Sequence, residues 1–297
     1  MNILVTGSNG QIGTSLKEAS LNFKYDCKFL SKKDLDITSS SSIKKAFLKY
    51  SPHIVINTAA YTEVDGAEAN DITAFSVNEA GPRLLAIHCS EEGIPIIHFS
   101  TDYVFDGLSS IPYKPTDPTS PKTVYGASKL AGERAIQLYA NSYIILRTSW
   151  VFSRHGKNFM KTMLKLAESK NKISVVNDQF GNPTFSNDIA HITFLLVAEA
   201  LAKKNLQKIF HYGGDTICSW FDFANEIFSQ ANQTYFTQTA PLISPCLSSD
   251  FLTLATRPLF SSLDSSDICS FLGTRPSDWK RAINLILSEQ RNFKNES

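Results

Sequence analysis

The chain has 297 residues, 42% of them hydrophobic, and a formal net charge of +1 at pH 7. That length and apolar content allow one large α/β core or two moderate ones. The near-neutral charge gives no bulk attraction to nucleic acid or an anionic membrane, so an anionic ligand has to be held by a local site.

Taken in chain order, short apolar runs alternate with longer amphipathic segments. Ile3–Thr6 predicts a first strand and Gln11–Ser20 a helix, followed by a strand at Lys28–Leu30 and a helix at Ser41–Tyr50. Further strands are predicted at Ile54–Asn57, Ile96–Ser100 and Tyr143–Arg147, with helices at Thr73–Glu92 and Tyr125–Ala140. Strand–helix alternation predicts a Rossmann-type doubly wound parallel sheet, class α/β. The second half reads differently: helices at Asn158–Ala167, Ser186–Ala202 and Trp220–Ala231, a strand at Ile209–Tyr212, a loop over Thr237–Ser249, and a last helix starting near Pro276. A boundary near residue 150 divides a dinucleotide-binding part (1–150) from a smaller, mainly substrate-binding part (151–297). The segments around 186–212 are expected to return to the first sheet.

The N-terminal MNILVTG lacks the basic region of an export signal. The apolar stretch Ile192–Ala202 contains Glu199 and falls far short of the ~20 residues of a membrane span. Cys27, Cys89, Cys218, Cys246 and Cys269 are widely spaced and form no CxxC pair, which points away from a zinc cluster or a disulfide framework. A cytoplasmic protein with no metal, no nucleic-acid partner and no membrane partner is expected.

Gly7-Ser8-Asn9-Gly10-Gln11-Ile12-Gly13 follows the first strand and opens the first helix. Glycines permit the sharp turn and the close approach of backbone to a pyrophosphate, and the helix N-terminus offers free N–H groups. The second strand ends in Ser31-Lys32-Lys33, where NAD enzymes usually carry an acid for the ribose hydroxyls. Two ammonium groups there favour the 2′-phosphate of NADPH, with NADH left open; a solvated loop is the alternative. Asp36 is placed to reach the adenine amino group or to hold that loop. Small residues in Asn57-Thr58-Ala59-Ala60-Tyr61-Thr62 leave room for a dinucleotide at the end of the third strand, or serve tight packing.

The fourth strand leads into Thr101-Asp102-Tyr103, and Tyr125-Gly126-Ala127-Ser128-Lys129 opens the next helix. Tyrosine and lysine four apart share a helical face. An ammonium beside the phenol, with a nicotinamide charge near, is expected to lower the tyrosine pKa and make it a general acid near neutral pH. Thr101 is a candidate to polarise the same carbonyl oxygen.

With these motifs in place, the chain resembles the extended short-chain dehydrogenase/reductase family, and within it the dTDP-4-dehydrorhamnose reductases. The resemblance runs through INTAAYTEVDGAE, FSTDYVFDG, YGASKLAGE, LRTSWVF, NFMKTMLKLA, VNDQFGNPT, and Arg257-Pro258 with Ser261 and Leu263. It implies a catalytic set of Thr101, Tyr125 and Lys129. It implies cofactor contacts at Gly10, Gln11, Ile12, Asp36, Ile37, Ala60, Tyr61 and Thr62, besides Tyr125 and Lys129. A sugar-nucleotide site would be lined by Val64, Asp65, Thr101, Asp102, Tyr103, Trp150 and Arg257. The implied reaction is NADPH-dependent reduction of a C4 keto group on a nucleotide-linked deoxysugar, by a monomer or homodimer. Tyr103 stands where sugar-nucleotide dehydratases of the family carry a glutamate. Ser15 and Asn187 stand where some members bind magnesium through glutamates at a dimer interface, and neither can replace a carboxylate for a hard cation. Gly66 replaces the lysine of the family's VDKAE. Two alternatives stay open: reduction of a different nucleotide-linked 4-keto-6-deoxy sugar, and a non-catalytic NADP-binding subunit like the regulatory subunit of methionine adenosyltransferase.

Overall fold

Strands and helices alternate through the first half of the computed structural model, which describes residues 1–233 and 241–295, with side chains through residue 289. In order come β1 (Asn2–Thr6), α1 (Gln11–Ala19), β2 (Asp26–Leu30), α2 (Ser40–Tyr50), β3 (Ile54–Asn57), α3 (Val64–Ala69), α4 (Asp71–Phe75), α5 (Gly81–Glu91), β4 (Ile96–Thr101), α6 (Val124–Tyr139) and β5 (Tyr143–Thr148). The second half adds β6 (Val151–Phe152), α7 (Phe159–Ala167), β7 (Lys172–Val176), β8 (Phe180–Gly181), β9 (Thr184–Phe185), α8 (Ser186–Ala202), β10 (Gln207–His211), β11 (Cys218–Ser219), α9 (Trp220–Gln233), β12 (Leu242–Cys246), α10 (Ser266–Leu272) and α11 (Trp279–Asn295).

Six strands form one parallel sheet in the order β10-β5-β4-β3-β1-β2. Each inner strand is apolar on both faces because helices cover both. Ile3, Val5, Ile54, Ile56, Ile97, Ile144 and Leu146 face α1 and α8, in a core with Leu16, Ile189, Ile192 and Val197. The alternate residues Leu4, Val55, Ile96 and Ile145 face α2, α5 and α6, in a core with Ile43, Phe47, Leu85 and Ile136. Residues 207–211 add the outermost strand beside β5. From β1 the chain passes to β2 on one side and later to β3 on the other. Such a reversal opens a crevice at the carboxyl ends of β1 and β3, where ligands of doubly wound sheets bind. Thr6 donates to Asn57 at 2.6 Å, and Asn57 lies 2.9 Å from His98 Nδ1, so a buried polar row ties β1, β3 and β4.

A separate core gathers Phe152, Met160, Met163, Phe185, Phe223, Ile227, Trp279, Ile283 and Ile286 from the second half. No helix of the described residues is long and apolar enough to cross a membrane.

Two expectations need correction. The helix predicted over Thr73–Glu92 is three pieces, with a π-helical turn at Ser76–Ala80 between α4 and α5. Pro82 has no N–H for the Asn78 carbonyl and its ring would crowd that group, so the regular ladder opens there. Of the loop expected at Thr237–Ser249, residues 237–240 lie outside the described residues, whereas Leu242–Cys246 is a strand parallel to β7. Its largely exposed, Pro-containing sequence belongs to an edge, where proline is tolerated. Strand β7 was itself unmarked, although its burial alternates as a half-buried strand requires. Helices α3 and α10 were likewise unmarked; each is one or two turns, too short for a helical period to show.

Candidate active site

The glycine turn lies at the crevice. Gly7 has φ 70°, and a Cβ there would come within 2.5 Å of the Ala59 nitrogen, so any side chain would separate β1 from the end of β3. A Cβ on Gly13 would meet the Gly7 carbonyl oxygen at 2.5 Å. Gly10 differs, because its nearest neighbour would be that same oxygen at 3.4 Å. The backbone of Gly10 therefore opens toward free space at the start of α1, where the first N–H groups of Gln11 and Ile12 have no helical acceptor. This is a cradle that fits a dinucleotide pyrophosphate. The Gln11 side chain is occupied elsewhere: Ser153 donates to its Oε1 at 2.8 Å and Asn158 at 3.0 Å.

Lys32 and Lys33 are exposed on a turn closed by Ser31, whose N–H and hydroxyl both donate to Asp34. Asp36 accepts from the N–H and the hydroxyl of Thr38, which hold its carboxyl below the usual range. These bonds tie Asp36 to the segment that leads into α2. Ile37 is buried and packs where a Cβ on Gly81 would fall.

Ala59, Ala60 and Tyr61 are partly exposed beyond β3, and Thr62 is exposed. Asn78 fixes this segment: its Oδ1 accepts from Tyr61 N–H at 2.8 Å, and its Nδ2 donates to the Tyr61 carbonyl and to Ser128 Oγ, both at 3.0 Å. Asn78 escaped the sequence reading, yet a buried amide four residues before a mid-helix proline was the available signal. The phenol of Tyr61 occupies the space beside Gly66, where a Cβ would approach its oxygen to 2.8 Å.

At the end of β4, Thr101 donates to Asp102 Oδ1 at 2.9 Å and accepts from the Tyr103 N–H at 3.2 Å. Helix α6 starts against this corner, and a Cβ on Gly126 would overlap the Tyr103 carbonyl. Thr123 caps the helix by accepting from Gly126 N–H. Tyr125 and Lys129 both lie on its buried face, at 9% and 3% exposure. The rings of Tyr103 and Tyr125 meet edge to face, 5.5 Å apart.

The protein's own groups raise the Tyr125 pKa, whereas the expected lowering also drew on a nicotinamide charge. Burial pushes the Tyr125 phenol up, the Thr101 hydroxyl opposes this in part, and Asp102 and Tyr103 add to the rise. Lys129 does not contribute to this balance; its Nζ donates to the Phe99 carbonyl at 2.6 Å, and burial brings its own pKa down to about 8. Tyr125 is thus protonated at neutral pH, the form a proton donor requires. Asp102, fully buried, is pushed up to about 6 by desolvation, against the lowering effects of Ser261 and Thr101.

The other wall comes from distant parts of the chain. Arg257 donates to Asp65 Oδ2 at 2.7 Å and to the Tyr103 phenol at 3.2 Å, and the Ala255 N–H donates to Asp65 Oδ1. Asp65 and Arg257, two of the three charged residues expected to meet substrate, are therefore paired with each other. A cleft of about 430 Å³ adjoins them, lined in part by Tyr103, Lys122, Thr123, Thr256 and Arg257. Val64 packs with Tyr61, Tyr103 and Tyr125. Trp150 stands two residues past Thr148, the β5 partner of Thr101. Its backbone is left-handed, φ 46°, a conformation that costs a non-glycine residue about 1–3 kcal/mol.

Ser15 and Asn187 also come together: the Ser15 hydroxyl donates to Asn187 Oδ1 at 2.9 Å and lies 2.6 Å from Ser186 Oγ. Among the described residues no three His, Cys, Asp or Glu gather as a metal site would require.

Comparison with known proteins agrees over nearly the full length. Residues 1–292 match the RmlD substrate binding domain. A dTDP-4-dehydrorhamnose reductase of Aggregatibacter actinomycetemcomitans is 41% identical over 96% of this chain and 97% of its own. The crystal structure of a dTDP-4-dehydrorhamnose reductase from Clostridium acetobutylicum superposes with a TM-score of 0.90 at 33% identity, covering 98% of this chain and 100% of that one. That of the Bacillus anthracis reductase in complex with NADP gives 0.88 at 34% identity, covering 97% and 99%.

Proposed function

Since the chain belongs to the dTDP-4-dehydrorhamnose reductase family, we propose a role for each residue of its site in that family's reaction. The protein is an NADPH-dependent oxidoreductase that reduces the C4 keto group of dTDP-4-dehydro-6-deoxy-L-mannose to give dTDP-L-rhamnose. One observation carries the residue assignment: at the carboxyl end of β4 the Thr101 hydroxyl meets the Tyr125 phenol, and Lys129, on the same face of α6, donates to the Phe99 carbonyl.

The cofactor, when bound, supplies the hydride that C4 accepts. Gly7, Gly10 and Gly13, with the N–H groups of Gln11 and Ile12, hold its pyrophosphate, and Ala59, Ala60, Tyr61 and Thr62 line the crevice beyond β3. Lys32 and Lys33 are free to pair with a 2′-phosphate, which favours NADPH over NADH. Tyr125 gives its proton to the oxygen left on C4. Thr101 flanks that phenol; to donate to the sugar oxygen its hydroxyl has to turn away from Asp102. Lys129 keeps two ammonium protons beyond the one given to Phe99, and these suit ribose hydroxyls. Val64, Asp65, Asp102, Tyr103, Trp150 and Arg257 line the sugar-nucleotide side.

Residues 1–150 carry the cofactor, and most of 151–297 serves the sugar nucleotide. The enzyme works in the cytoplasm as a monomer or homodimer, without a metal bridge at Ser15 and Asn187. Its five cysteines are free thiols, as a reducing compartment keeps them. The test is NADPH oxidation with a panel of nucleotide-linked 4-keto-6-deoxy sugars, the products identified by NMR. Turnover fastest with the dTDP-linked L-lyxo-4-keto sugar, giving dTDP-L-rhamnose, is expected. Tight NADPH binding with no reduction of any keto sugar would leave a binding subunit as the better reading.

A further inference from the structure

Trp150 is pressed between two groups that one short ladder supplies. Strands β8 and β11 pair antiparallel, with Cys218 opposite Gly181 and Ser219 opposite Phe180. On one strand, Gly181 leaves the space that the indole fills: a Cβ there would come within 2.5 Å of Cε2 and 2.7 Å of Nε1 of Trp150. The other strand runs straight into Trp220, the first residue of α9. Its ring lies on that of Trp150 with centroids 3.4 Å apart and planes 3° from parallel. Phe159 backs Trp220 at 4.6 Å, and Phe223 backs Phe159 at 5.4 Å. The main chain of Trp150 is anchored too, its carbonyl accepting from Thr184 N–H at 3.2 Å.

A tryptophan that only filled a core would be enclosed and hydrogen-bonded, as Trp279 is: 2% exposed, with its indole N–H donating to Thr216 Oγ1 at 2.7 Å. Trp150 and Trp220 are both partly exposed, at the edge of the second core rather than within it. A left-handed backbone at a bulky residue persists only where its surroundings over-determine it. Here these surroundings are the missing Cβ of Gly181 below and the flat face of Trp220 above.

We infer that Trp220 is a positioning residue for the sugar site: stacked on Trp150, it fixes the edge of that indole offered to the substrate. The inference rests on the reading of Trp150 as a wall of the sugar-nucleotide site. Trp220 touches neither substrate nor cofactor in this role and acts through Trp150 alone.

The test uses the full-length protein and four variants: Trp150→Ala, Trp220→Leu, Trp220→Phe and the double variant Trp150→Ala/Trp220→Leu. Leucine keeps apolar volume in the second core but removes the flat face, and phenylalanine keeps a flat ring. Steady-state kcat and KM for the dTDP-4-keto sugar, the Kd for NADPH and the melting temperature are measured on each. Trp220→Leu is expected to raise the sugar KM about fivefold, the scale of a lost aromatic stack, with kcat and the NADPH Kd within twofold of parent. Trp220→Phe should recover most of that loss. In the Trp150→Ala background the leucine substitution should add less than about twofold, because its effect passes through the missing indole. An unchanged KM in Trp220→Leu, or an equal added factor in both backgrounds, overturns the inference. So does an equal loss of NADPH affinity, which would mean general damage to the fold. If Trp150→Ala itself leaves the sugar KM unchanged, it is the placement of Trp150 at the sugar that fails.

Discussion

The two walls of the site are built by opposite means. On the β4–α6 side, Thr101, Asp102, Tyr125 and Lys129 are at most 9% exposed, with Thr101 donating to Asp102 and Lys129 to the Phe99 carbonyl. On the facing side, Trp150, Trp220 and Arg257 are partly exposed and held by stacking and an exposed ion pair. Desolvation is what moves the pKa of a phenol or an ammonium, so the groups that transfer a proton have to be enclosed. A wall that only recognises has no such need, and its partial exposure leaves surface for a ligand to cover. Substitutions on the first side should therefore change rate, and those on the second should change affinity.

The largest effect is expected from Lys129→Met, which removes an enclosed cation facing both the catalytic corner and the cofactor crevice. Steady-state kinetics and NADPH titration should show kcat/KM reduced about 10³-fold together with weaker NADPH binding. A loss confined to the sugar KM would place this lysine on the recognition side instead.

The same residue sets an alkaline limit. Burial lowers its pKa to about 8, so Lys129 is charged below that pH and loses its proton as pH rises through it. In the free enzyme, kcat/KM for NADPH should hold below pH 8 and fall above it, approaching about tenfold per pH unit. A profile flat to pH 9.5 would mean that the ammonium is not required.

Arg257 tests the recognition side. Arg257→Ala removes a charge-assisted bond to Asp65 and one to Tyr103, and frees the segment around Ala255. The sugar KM should rise about tenfold with kcat little changed, the scale of one lost charged hydrogen bond. A kcat loss as large as that of Lys129→Met would erase the distinction between the walls.

The smallest effect is expected at the exposed turn after β2. The double variant Lys32→Ala, Lys33→Ala should raise the KM for NADPH several-fold and leave that for NADH unchanged, because solvent screens exposed pairs. Equal constants for both cofactors in parent and variant would remove these lysines from the cofactor site.

The same contrast explains what the sequence made legible. The glycine turn and the Tyr125–Lys129 pair lie on continuous stretches, each bound to one strand end or one helix face, so spacing read together with the preceding strand made them legible. All six sheet strands could be read to within two residues at each end; only Gln207–His211 was offset at both ends. The facing wall brings together residues 150, 181 and 220 on one part and 65, 103 and 257 on another, and no local period connects them. Trp220 looked like the start of an amphipathic helix, and only the β8–β11 ladder places it over Trp150. Helical spacing puts the lysine on the tyrosine's face, but it encodes neither the Phe99 carbonyl on β4 to which the ammonium donates nor the burial that raises the Tyr125 pKa.

The most direct measurement sets Tyr125→Phe beside Trp150→Ala under identical conditions, with kcat, sugar KM and NADPH Kd determined for both. Loss of a general acid should lower kcat of Tyr125→Phe by about 10²–10⁴ while its NADPH Kd stays within twofold. Trp150→Ala should raise the sugar KM about tenfold and keep most of kcat, since it loses contact surface but no proton. A Tyr125→Phe enzyme that turns over the keto sugar at the parent rate, or a Trp150→Ala enzyme whose kcat falls as far as that of Tyr125→Phe, would contradict the separation of chemistry from recognition between the two walls.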